Sequence, residues 1–323
     1  MQFSAVIPTL GGRASLGTTL RALEGQTVPP VEIVLVVAPA AAGQTGWEAT
    51  ADVSGGRIPL RVVRSLVASA AKQRNAGAAA ARSERLLFID DDILPAADAC
   101  ERLLEAMEQL ELSAVSGRMR GAGHTRPRGL LRLYYRLQAG FPHPTWGAMV
   151  LGPAICTLPC YDHDLVERDV IRSQWLPSGM LLVRRDRFES CGGFPGFSGY
   201  SALEDVHLTA RLAGFKPQFG PATTASTGQG HEGAAVGFHT AAWFDHTGDE
   251  STGLVDPAGL ARMRMANRWL VAREVMGQRG FGLWWRFQLL KVFDTVALAR
   301  QRNAGWLEEI RGTWGGVASR RDW

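Results

Sequence analysis

Short apolar runs alternate with helically spaced apolar residues along the first 120 positions of the chain. The runs predict strands, and the run from Val31 to Val37 is mostly β-branched, which predicts a strand buried on both faces as in a parallel sheet. They lie at Phe3–Ile7, Val31–Val37, Leu60–Arg64, Leu86–Ile89 and Ala114–Gly117. The helical spacing between them predicts helices at Arg13–Gln26, Ser69–Arg82 and Pro95–Leu110. This alternation predicts an α/β fold with a doubly wound, mostly parallel sheet.

The pattern becomes less regular after residue 118 and changes again near Asp256. The sequence predicts a helix at Gly129–Ala139, a loop-rich stretch at His143–Arg172, a strand at Gly179–Val183 and a helix at Glu204–Ala213. From Asp256 onward it predicts long helices and no strands. We therefore expect an α/β domain over residues 1–255, with two halves that meet near residue 118, and a helical C-terminal subdomain over residues 256–323.

Positive charge is concentrated in the predicted C-terminal helices. The whole chain has a formal net charge of +4, whereas Ala261–Trp323 contains 12 Arg or Lys and 5 Asp or Glu, a local net of +7. Trp residues are interleaved with these cations, a composition typical of helices that lie on an anionic membrane surface. The alternative is that the Trp side chains pack the helices onto the rest of the protein. No recognised nucleic-acid-binding module accompanies the charge, so we expect no nucleic-acid partner.

Neither a signal peptide nor a membrane span is predicted. The start, MQFSAVIPTL, lacks a basic segment followed by an apolar one. The apolar segment Phe281–Ala299 is interrupted by Arg286, Lys291 and Asp294, and a span needs about 20 apolar residues. The four Cys have no CxxC spacing, and we expect reduced thiols. We expect a cytoplasmic protein, peripheral at the inner face of the cytoplasmic membrane if the C-terminal helices bind lipid.

Asp90, Asp91 and Asp92 directly follow the predicted strand Leu86–Ile89. In doubly wound sheets ligands bind at the carboxyl ends of strands, so we expect these carboxylates at a binding edge. Adjacent buried carboxylates repel each other unless a cation neutralises them. Mg²⁺ and Mn²⁺ prefer carboxylate oxygens together with phosphate oxygens. The motif therefore predicts a divalent-metal site for a phosphorylated ligand, with a solvated acidic turn as the alternative.

Glu204 and Asp205 open a predicted helix, where the helix dipole by itself would favour acidic residues. Together with the acidic motif after the strand, the pair can supply a base that takes a proton from a hydroxyl group. His231, in GQGHEG, can complete the coordination of a metal, and His239 and His246 are the alternatives nearby.

Arg74 lies in AAKQRNAG, and its planar guanidinium can pair with a phosphate or a carboxylate. The alternative is an exposed helix face shared with Lys72. Other nucleotide-binding and hydrolytic signatures are absent from the sequence: there is no P-loop, no Rossmann GxGxxG and no GxSxG elbow.

Taken in order, these segments resemble the family 2 glycosyltransferases, which have the GT-A fold. The resemblance rests on AVIPTL, VEIVLVV, AAKQRNAGAAAA, LLFIDDDILP and PSGMLLVRRDRFESCGGFPGFSGYSALEDVHLTARLAGF, followed by a later His. The ordered set spans about residues 3–231 and is more specific than any single motif. It implies an inverting, metal-dependent hexosyltransferase that moves a sugar from a nucleotide-diphosphate donor to an acceptor hydroxyl, in polysaccharide, glycolipid or other glycoconjugate synthesis.

The resemblance also implies roles for the matching positions. The nucleotide-sugar site would contain Pro8, Thr9, Arg13, Arg74, Asp90 and Asp91. The metal, Mn²⁺ or Mg²⁺, would be held on the diphosphate by Asp92 and His231. The acceptor would contact Ser178, Gly179 and Glu204, and Asp205 would be the catalytic base. Residues 1–118 would then form the nucleotide-sugar half and residues 119–255 the acceptor half.

One departure from the family concerns the nucleobase. The second strand ends Val36-Val37-Ala38-Pro39, without the acidic residue that the family usually has there. UDP, GDP and dTDP sugars therefore all stay open as donors, and the acceptor is expected to be a glycan or a lipid-linked molecule.

Two other functions compete with the transferase. A sugar-phosphate nucleotidyltransferase would need a stronger glycine-rich loop than Leu10–Arg13, and it would leave Glu204 and Asp205 without a role. A non-catalytic scaffold at the membrane would retain buried like charges, which are costly, without using them.

Overall fold

The computed structural model describes residues 1–11, 14–39, 56–121, 128–130, 132–134, 150–151, 157–158, 170–197, 202–214, 236–247, 256–302 and 305–315. Its strands are β1 (Ser4–Thr9), β2 (Glu32–Val37), β3 (Leu60–Arg64), β4 (Arg85–Ile89), β5 (Ile93–Pro95), β6 (Ala114–Met119), β7 (Val150–Leu151), β8 (Thr157–Leu158), β9 (Val170–Ser173), β10 (Met180–Arg184) and β11 (Val236–His246). Its helices are α1 (Ala14–Glu24), α2 (Ala70–Ala80), α3 (Ala99–Gln109), α4 (Arg185–Ser190), α5 (Glu204–Leu212), α6 (Pro257–Glu274), α7 (Gly280–Gln301) and α8 (Trp306–Gly315).

The central sheet has the strand order β3-β2-β1-β4-β10-β6-β11-β5, and β9 pairs with β11 beside this path. The strands β3, β2, β1 and β4 are parallel, and β11 is parallel to β6. Strand β10 is antiparallel to both of its neighbours, β4 and β6. The carboxyl ends of β1, β2, β4 and β6 therefore meet at one edge, which we call the carboxyl edge. The α/β fold class predicted from the sequence is confirmed.

Helices cover both faces of this sheet. On one face α1 and α3 pack against it through residues such as Leu16, Leu20 and Leu103. On the other face the Ala-rich helix α2 lies close to β1 and β2. A Cβ atom at Gly77 would stand 2.9 Å from Val36 Cγ2, and closer still to Val6, so only glycine allows this approach.

The C-terminal helices have a core of their own that includes α5. Val206 and Ala210 of α5 pack with Trp269 of α6 and with Phe287 and Leu290 of α7. At least one Trp of the basic segment therefore packs into the protein. None of the described helices contains an apolar stretch of the length that a membrane span requires.

The sequence did not predict β11. Its residues VGFHTAAWFDH mix small, polar and aromatic side chains, so neither alternation nor a long apolar run marks them as a strand. Pairing within the sheet stabilises this strand, because β11 pairs with β6, β5 and β9. In the stretch predicted as loop-rich, the short strands β7, β8 and β9 are present, and the helix predicted from Pro95 begins at Ala99 because Pro95 ends β5.

Candidate functional site

The three carboxylates after β4 point to three different partners. Asp90 is the most exposed of them, at 34% of its side chain, and Asp91 and Asp92 are buried. The Asp90 backbone N–H donates to the carbonyl oxygen of Gly179 at 3.2 Å, so the motif is tied to the start of β10. The acidic run is therefore not a solvated turn.

Asp91 faces the protein. The Thr9 hydroxyl donates to Asp91 Oδ2 at 2.5 Å, and the Thr19 hydroxyl donates to the Asp91 carbonyl oxygen at 3.1 Å. Thr9 is held in turn by the Gln73 side-chain amide, which donates to the carbonyl oxygens of Thr9 and Val36. These contacts join the carboxyl ends of β1, β2 and β4, with Pro8 inside β1. The hydrogen bond between Thr9 and Asp91 therefore fixes the shape of the carboxyl edge.

Arg74 connects the two acidic motifs. Its Nη2 lies 2.6 Å from Asp90 Oδ1 and its Nη1 lies 3.1 Å from Glu204 Oε1, although 130 residues separate Arg74 from Glu204. The guanidinium is buried and stands over the Phe194 ring, 5.3 Å from its centroid. Burial alone would lower the pKa of Arg74, but the carboxylates of Asp90 and Glu204 outweigh it and raise that pKa.

The Glu204 and Asp205 carboxyls have pKa values above the ordinary range. Burial is the main cause for Glu204, the charge of Asp205 adds to it, and the Arg74 cation opposes it without cancelling it. Burial likewise raises the pKa of Asp205, against hydrogen bonds that its carboxylate accepts from the backbone N–H groups of Val206 and Ser178. A carboxyl whose pKa is raised toward neutral is suited to accept a proton.

Ser178 and Gly179 stand between the two acidic motifs. The Ser178 N–H donates to the Asp205 carboxylate, and the Gly179 carbonyl oxygen accepts from the Asp90 backbone N–H, so two adjacent residues contact both acidic motifs. A Cβ atom at Gly179 would lie 3.9 Å from Asp90 Oδ2, an ordinary contact. The structure thus brings the predicted acceptor-side floor, the predicted base and the first carboxylate of the predicted metal motif into one place.

The helix that carries Glu204 and Asp205 is fastened to the C-terminal helices. Leu203, just before it, has a φ of 72°, a left-handed conformation that is costly for a bulky residue. Asn267 of α6 donates its side-chain amide to the Ala202 carbonyl oxygen at 2.8 Å. His207 Nε2 lies 3.1 Å from Glu274 Oε2 at the end of α6. The C-terminal helices therefore position the start of α5 as well as its apolar face.

Asp92 has a histidine beside it. His246 Nε2 lies 3.5 Å from Asp92 Oδ2, because His246 pairs with Ile93 where β11 ends against β5. The backbone N–H and hydroxyl of Thr247 both donate to the Asp92 carbonyl oxygen. His239 lies nearer the start of β11, and its Nδ1 accepts from the Ala241 N–H.

Two residues predicted at the site, Arg13 and His231, lie outside the described residues. Within the part of the chain that the structure describes, no three His, Cys, Asp or Glu side chains form a metal-binding group. Asp92 and His246 are the carboxylate and imidazole that this part brings together at the predicted metal position. Sequence reasoning kept His246 only as an alternative, since its place depends on the unpredicted strand β11.

Two polar residues of α2 also belong to the site's framework. Gln73 bonds the ends of β1 and β2, and Asn75 exchanges hydrogen bonds with the backbone of Phe194. The signal was visible as QRN within an Ala-rich helix. Lys72, in contrast, is exposed, so the alternative of a solvated helix face holds for Lys72 and not for Arg74.

The fold is that of the GT-A glycosyltransferases. Residues 4–145, just under half of the chain, match the family model described as glycosyl transferase family 2. A relative described as an uncharacterised glycosyltransferase of Haemophilus influenzae is 28% identical over 107 residues, which are 33% of this chain and 34% of the relative. The match thus spans about a third of that relative's length. The resemblance to family 2 glycosyltransferases indicated by the motifs is confirmed.

Solved structures show the same fold at low sequence identity. TarS 1–349 of S. aureus in complex with UDP-GlcNAc has a TM-score of 0.52 at 16% identity, covering 95% of this chain and 75% of that one. The mannosyltransferase PcManGT from Pyrobaculum calidifontis, in complex with GDP-Man and Mn²⁺, has a TM-score of 0.53 at 14% identity, covering 98% of this chain and 86% of that one.

Proposed function

We propose that this protein is an inverting glycosyltransferase that moves a sugar from a nucleotide-diphosphate donor to an acceptor hydroxyl. The observation that carries the proposal is the buried Arg74, which ion-pairs with Asp90 of the donor motif and with Glu204 beside the base. This network joins Asp90, in the acidic motif that we propose binds the metal and the diphosphate, to carboxyls with raised pKa values, and that contact supports the proposal. A nucleotidyltransferase would have no use for the second motif.

Asp205 is the base in this proposal. It takes the proton of the acceptor hydroxyl while that oxygen forms a bond to the anomeric carbon and the bond from this carbon to the donor's diphosphate breaks. One such displacement inverts the anomeric centre. Glu204, paired with Arg74, binds the acceptor, and the Ser178 N–H orients the Asp205 carboxylate toward it. Ser178 and Gly179 form the acceptor-side floor.

The metal assignment rests on the chemistry of the donor set. Asp92 and His246 offer one carboxylate and one imidazole at 3.5 Å, and hard divalent ions accept such ligands together with diphosphate oxygens. A bound Mn²⁺ or Mg²⁺ would stabilise the charge of the diphosphate leaving group. The Mn²⁺ and GDP-Man in the PcManGT complex support this proposal. His231 stays a second candidate for the imidazole.

The donor half is proposed as residues 1–118 and the acceptor half as residues 119–255. Asp90 contacts the ribose or the sugar, while Asp91 and Thr9 support the edge on which the nucleotide lies. Arg13 and Pro8 complete the nucleotide side. UDP, GDP and dTDP sugars are the candidate donors, and the UDP-GlcNAc and GDP-Man complexes of the similar structures support the first two. The acceptor is a glycan or a lipid-linked molecule, used at the cytoplasmic side.

A thermal-shift screen of UDP, GDP, dTDP and CMP, with and without Mn²⁺, tests the donor class. A nucleotide present at 100 times its Kd stabilises the folded state by about 2.7 kcal/mol. We expect one nucleoside diphosphate to raise the Tm only when Mn²⁺ is present, and Asp92→Asn to remove that rise. A screen in which no nucleotide shifts the Tm would contradict the proposal.

A further inference from the structure

Helix α7 has two apolar faces. Leu283, Phe287 and Leu290 point into the core shared with α5 and α6. On the opposite side, Phe281 is 77% exposed and Trp285 57%, and Val292 and Val296 are each about half exposed. At about 3.6 residues per turn, positions 281, 285, 292 and 296 fall on a single stripe along the helix. A helix that only covers a protein core would carry polar residues on that stripe.

Neighbouring elements widen this stripe on both flanks. The Tyr134 ring stacks on Phe293 of α7 with centroids 3.7 Å apart, which places the segment of described residues 128–130 and 132–134 beside α7. In that segment Leu130 is 75% exposed and Leu133 about half exposed. On the other flank, Trp314 of α8 is about half exposed and donates its Nε1 hydrogen to the Thr295 hydroxyl at 3.0 Å. We call the α7 stripe with Leu130, Leu133 and Trp314 the apolar surface.

Cations surround the apolar surface. Arg279 and Arg300 are exposed near the two ends of α7, and Arg128 and Arg132 are exposed beside the two leucines. Helix α7 has one acidic residue, Asp294, which is half-buried. Its Oδ2 lies 3.3 Å from Arg268 Nη1, so this charge is already balanced. The acids of α8, Glu308 and Glu309, lie in its first turn.

We propose that the apolar surface docks on an anionic lipid bilayer, with its aromatic and aliphatic side chains among the headgroups and its arginines on lipid phosphates. Trp is favoured at such interfaces because its ring is both apolar and polar. Arginines around an apolar stripe add electrostatic attraction to the gain from burying apolar area. A second copy of this chain is a poorer occupant, because it would bring two sets of arginines together.

Docking through α7 would also fix the position of the proposed catalytic site relative to the bilayer. The opposite face of α7 packs through Phe287 on the core that includes Val206 of α5, two residues after Glu204. The base would then be held at a fixed height above the bilayer. If the proposed function is right, this favours an acceptor that is lipid-linked over one that is free in solution.

Vesicle flotation of the full chain, without donor or metal, tests the surface independently of the transferase activity. Vesicles of phosphatidylcholine alone are compared with vesicles that also contain phosphatidylglycerol, at low and high salt. We expect binding to the anionic vesicles, weakened by salt. The double variant Phe281→Ser/Trp285→Ser should bind about tenfold more weakly, because two large apolar side chains no longer enter the interface. Both positions are exposed, so folding should be retained, which the thermal unfolding midpoint checks.

Leu66→Ser is the matched control, since Leu66 is 94% exposed just after the edge strand β3 and lies outside the apolar surface. It should bind like the wild type. The proposal is wrong if the wild type stays unbound with anionic vesicles at low salt, or if the double variant binds as well as the Leu66 variant. Light scattering supplies a further check: a wild-type dimer that the double variant makes monomeric would assign the surface to a second copy instead.

Discussion

Replacing Arg74 with Gln removes a buried cation that touches both acidic motifs. In the wild type its guanidinium lies 2.6 Å from Asp90 and 3.1 Å from Glu204. Its loss leaves Glu204 buried beside Asp205 without the positive charge that Arg74 supplies. Removing one partner of a buried ion pair costs about 3–5 kcal/mol. Because Asp90 is partly exposed and can be solvated, we expect the lower end, about 3 kcal/mol, in the free energy of unfolding at pH 7.

The loss of unfolding free energy in Arg74→Gln should depend on pH. Without Arg74, the folded-state pKa values of Glu204 and Asp205 rise further above those of the unfolded chain, since Arg74 lowers both. Below the unfolded pKa values, about 4, both states are protonated and the extra penalty vanishes. As pH rises the unfolded state ionises first, so the penalty grows until the folded carboxyls ionise as well. The variant should therefore lose most stability relative to wild type near neutral pH and least in acid.

Urea denaturation at several pH values measures this difference in unfolding free energy between the variant and the wild type. An unchanged m value is the sign that the folded state is intact. Arg185→Gln is the control. Arg185 donates to the backbone carbonyl oxygens of Ser83 and Ala78, so its loss leaves no buried carboxylate without its ion-pair partner. Its cost should hardly change with pH. Adding Glu204→Gln to Arg74→Gln should restore part of the lost stability. A cost below about 1 kcal/mol at pH 7, or a pH profile parallel to that of the control, would refute the reasoning.

Three further predictions concern the metal, the pH profile and the helix packing. Asp92→Asn should abolish Mn²⁺-dependent affinity for the nucleoside diphosphate in calorimetry and His246→Ala should weaken it; unchanged affinity in His246→Ala would favour His231 as the ligand. The acid limb of the pH profile of kcat/KM should lie at a higher pH than an ordinary carboxyl gives, because the base must be ionised, and Arg74→Gln should move it higher still. A limb that stays in place would show that Arg74 does not influence the pKa of the base. Gly77→Ala should destabilise the fold by about 1–3 kcal/mol in urea denaturation, since the new methyl group overlaps two valines; a neutral effect would show that α2 can move away.

Sequence patterns predict the parts of this fold that depend on local signals. The run Leu86–Ile89 marks β4, and its end places Asp90 at the carboxyl edge, because strand ends bind ligands in such sheets. The start of α5 follows from Glu204 and Asp205 before a helical pattern. These features need only the period of apolar residues and the rules for helix ends.

The partners within the site are set by the order of strands in the sheet, which the spacing of residues does not contain. Asp90 meets Gly179 because β10 lies antiparallel beside β4, and Arg74 reaches Glu204 across 130 residues of sequence. His246 meets Asp92 because β11 ends against β5, and β11 has no clear strand pattern. Asp91 also looks like a ligand residue in sequence, but its carboxylate accepts a hydrogen bond from the Thr9 hydroxyl in the structure.

The catalytic claim is tested most directly by comparing Asp205→Asn with Glu204→Gln in metal-dependent hydrolysis of the nucleotide sugar, where water takes the place of the acceptor. Asp205→Asn should lower kcat by about 10²–10⁴-fold, the usual contribution of a general base, while the Kd for the nucleoside diphosphate in calorimetry stays near that of wild type. Glu204→Gln should lower kcat less, since Glu204 is paired with Arg74. Near-wild-type turnover in Asp205→Asn together with an inactive Glu204→Gln would contradict the account and reverse the two roles.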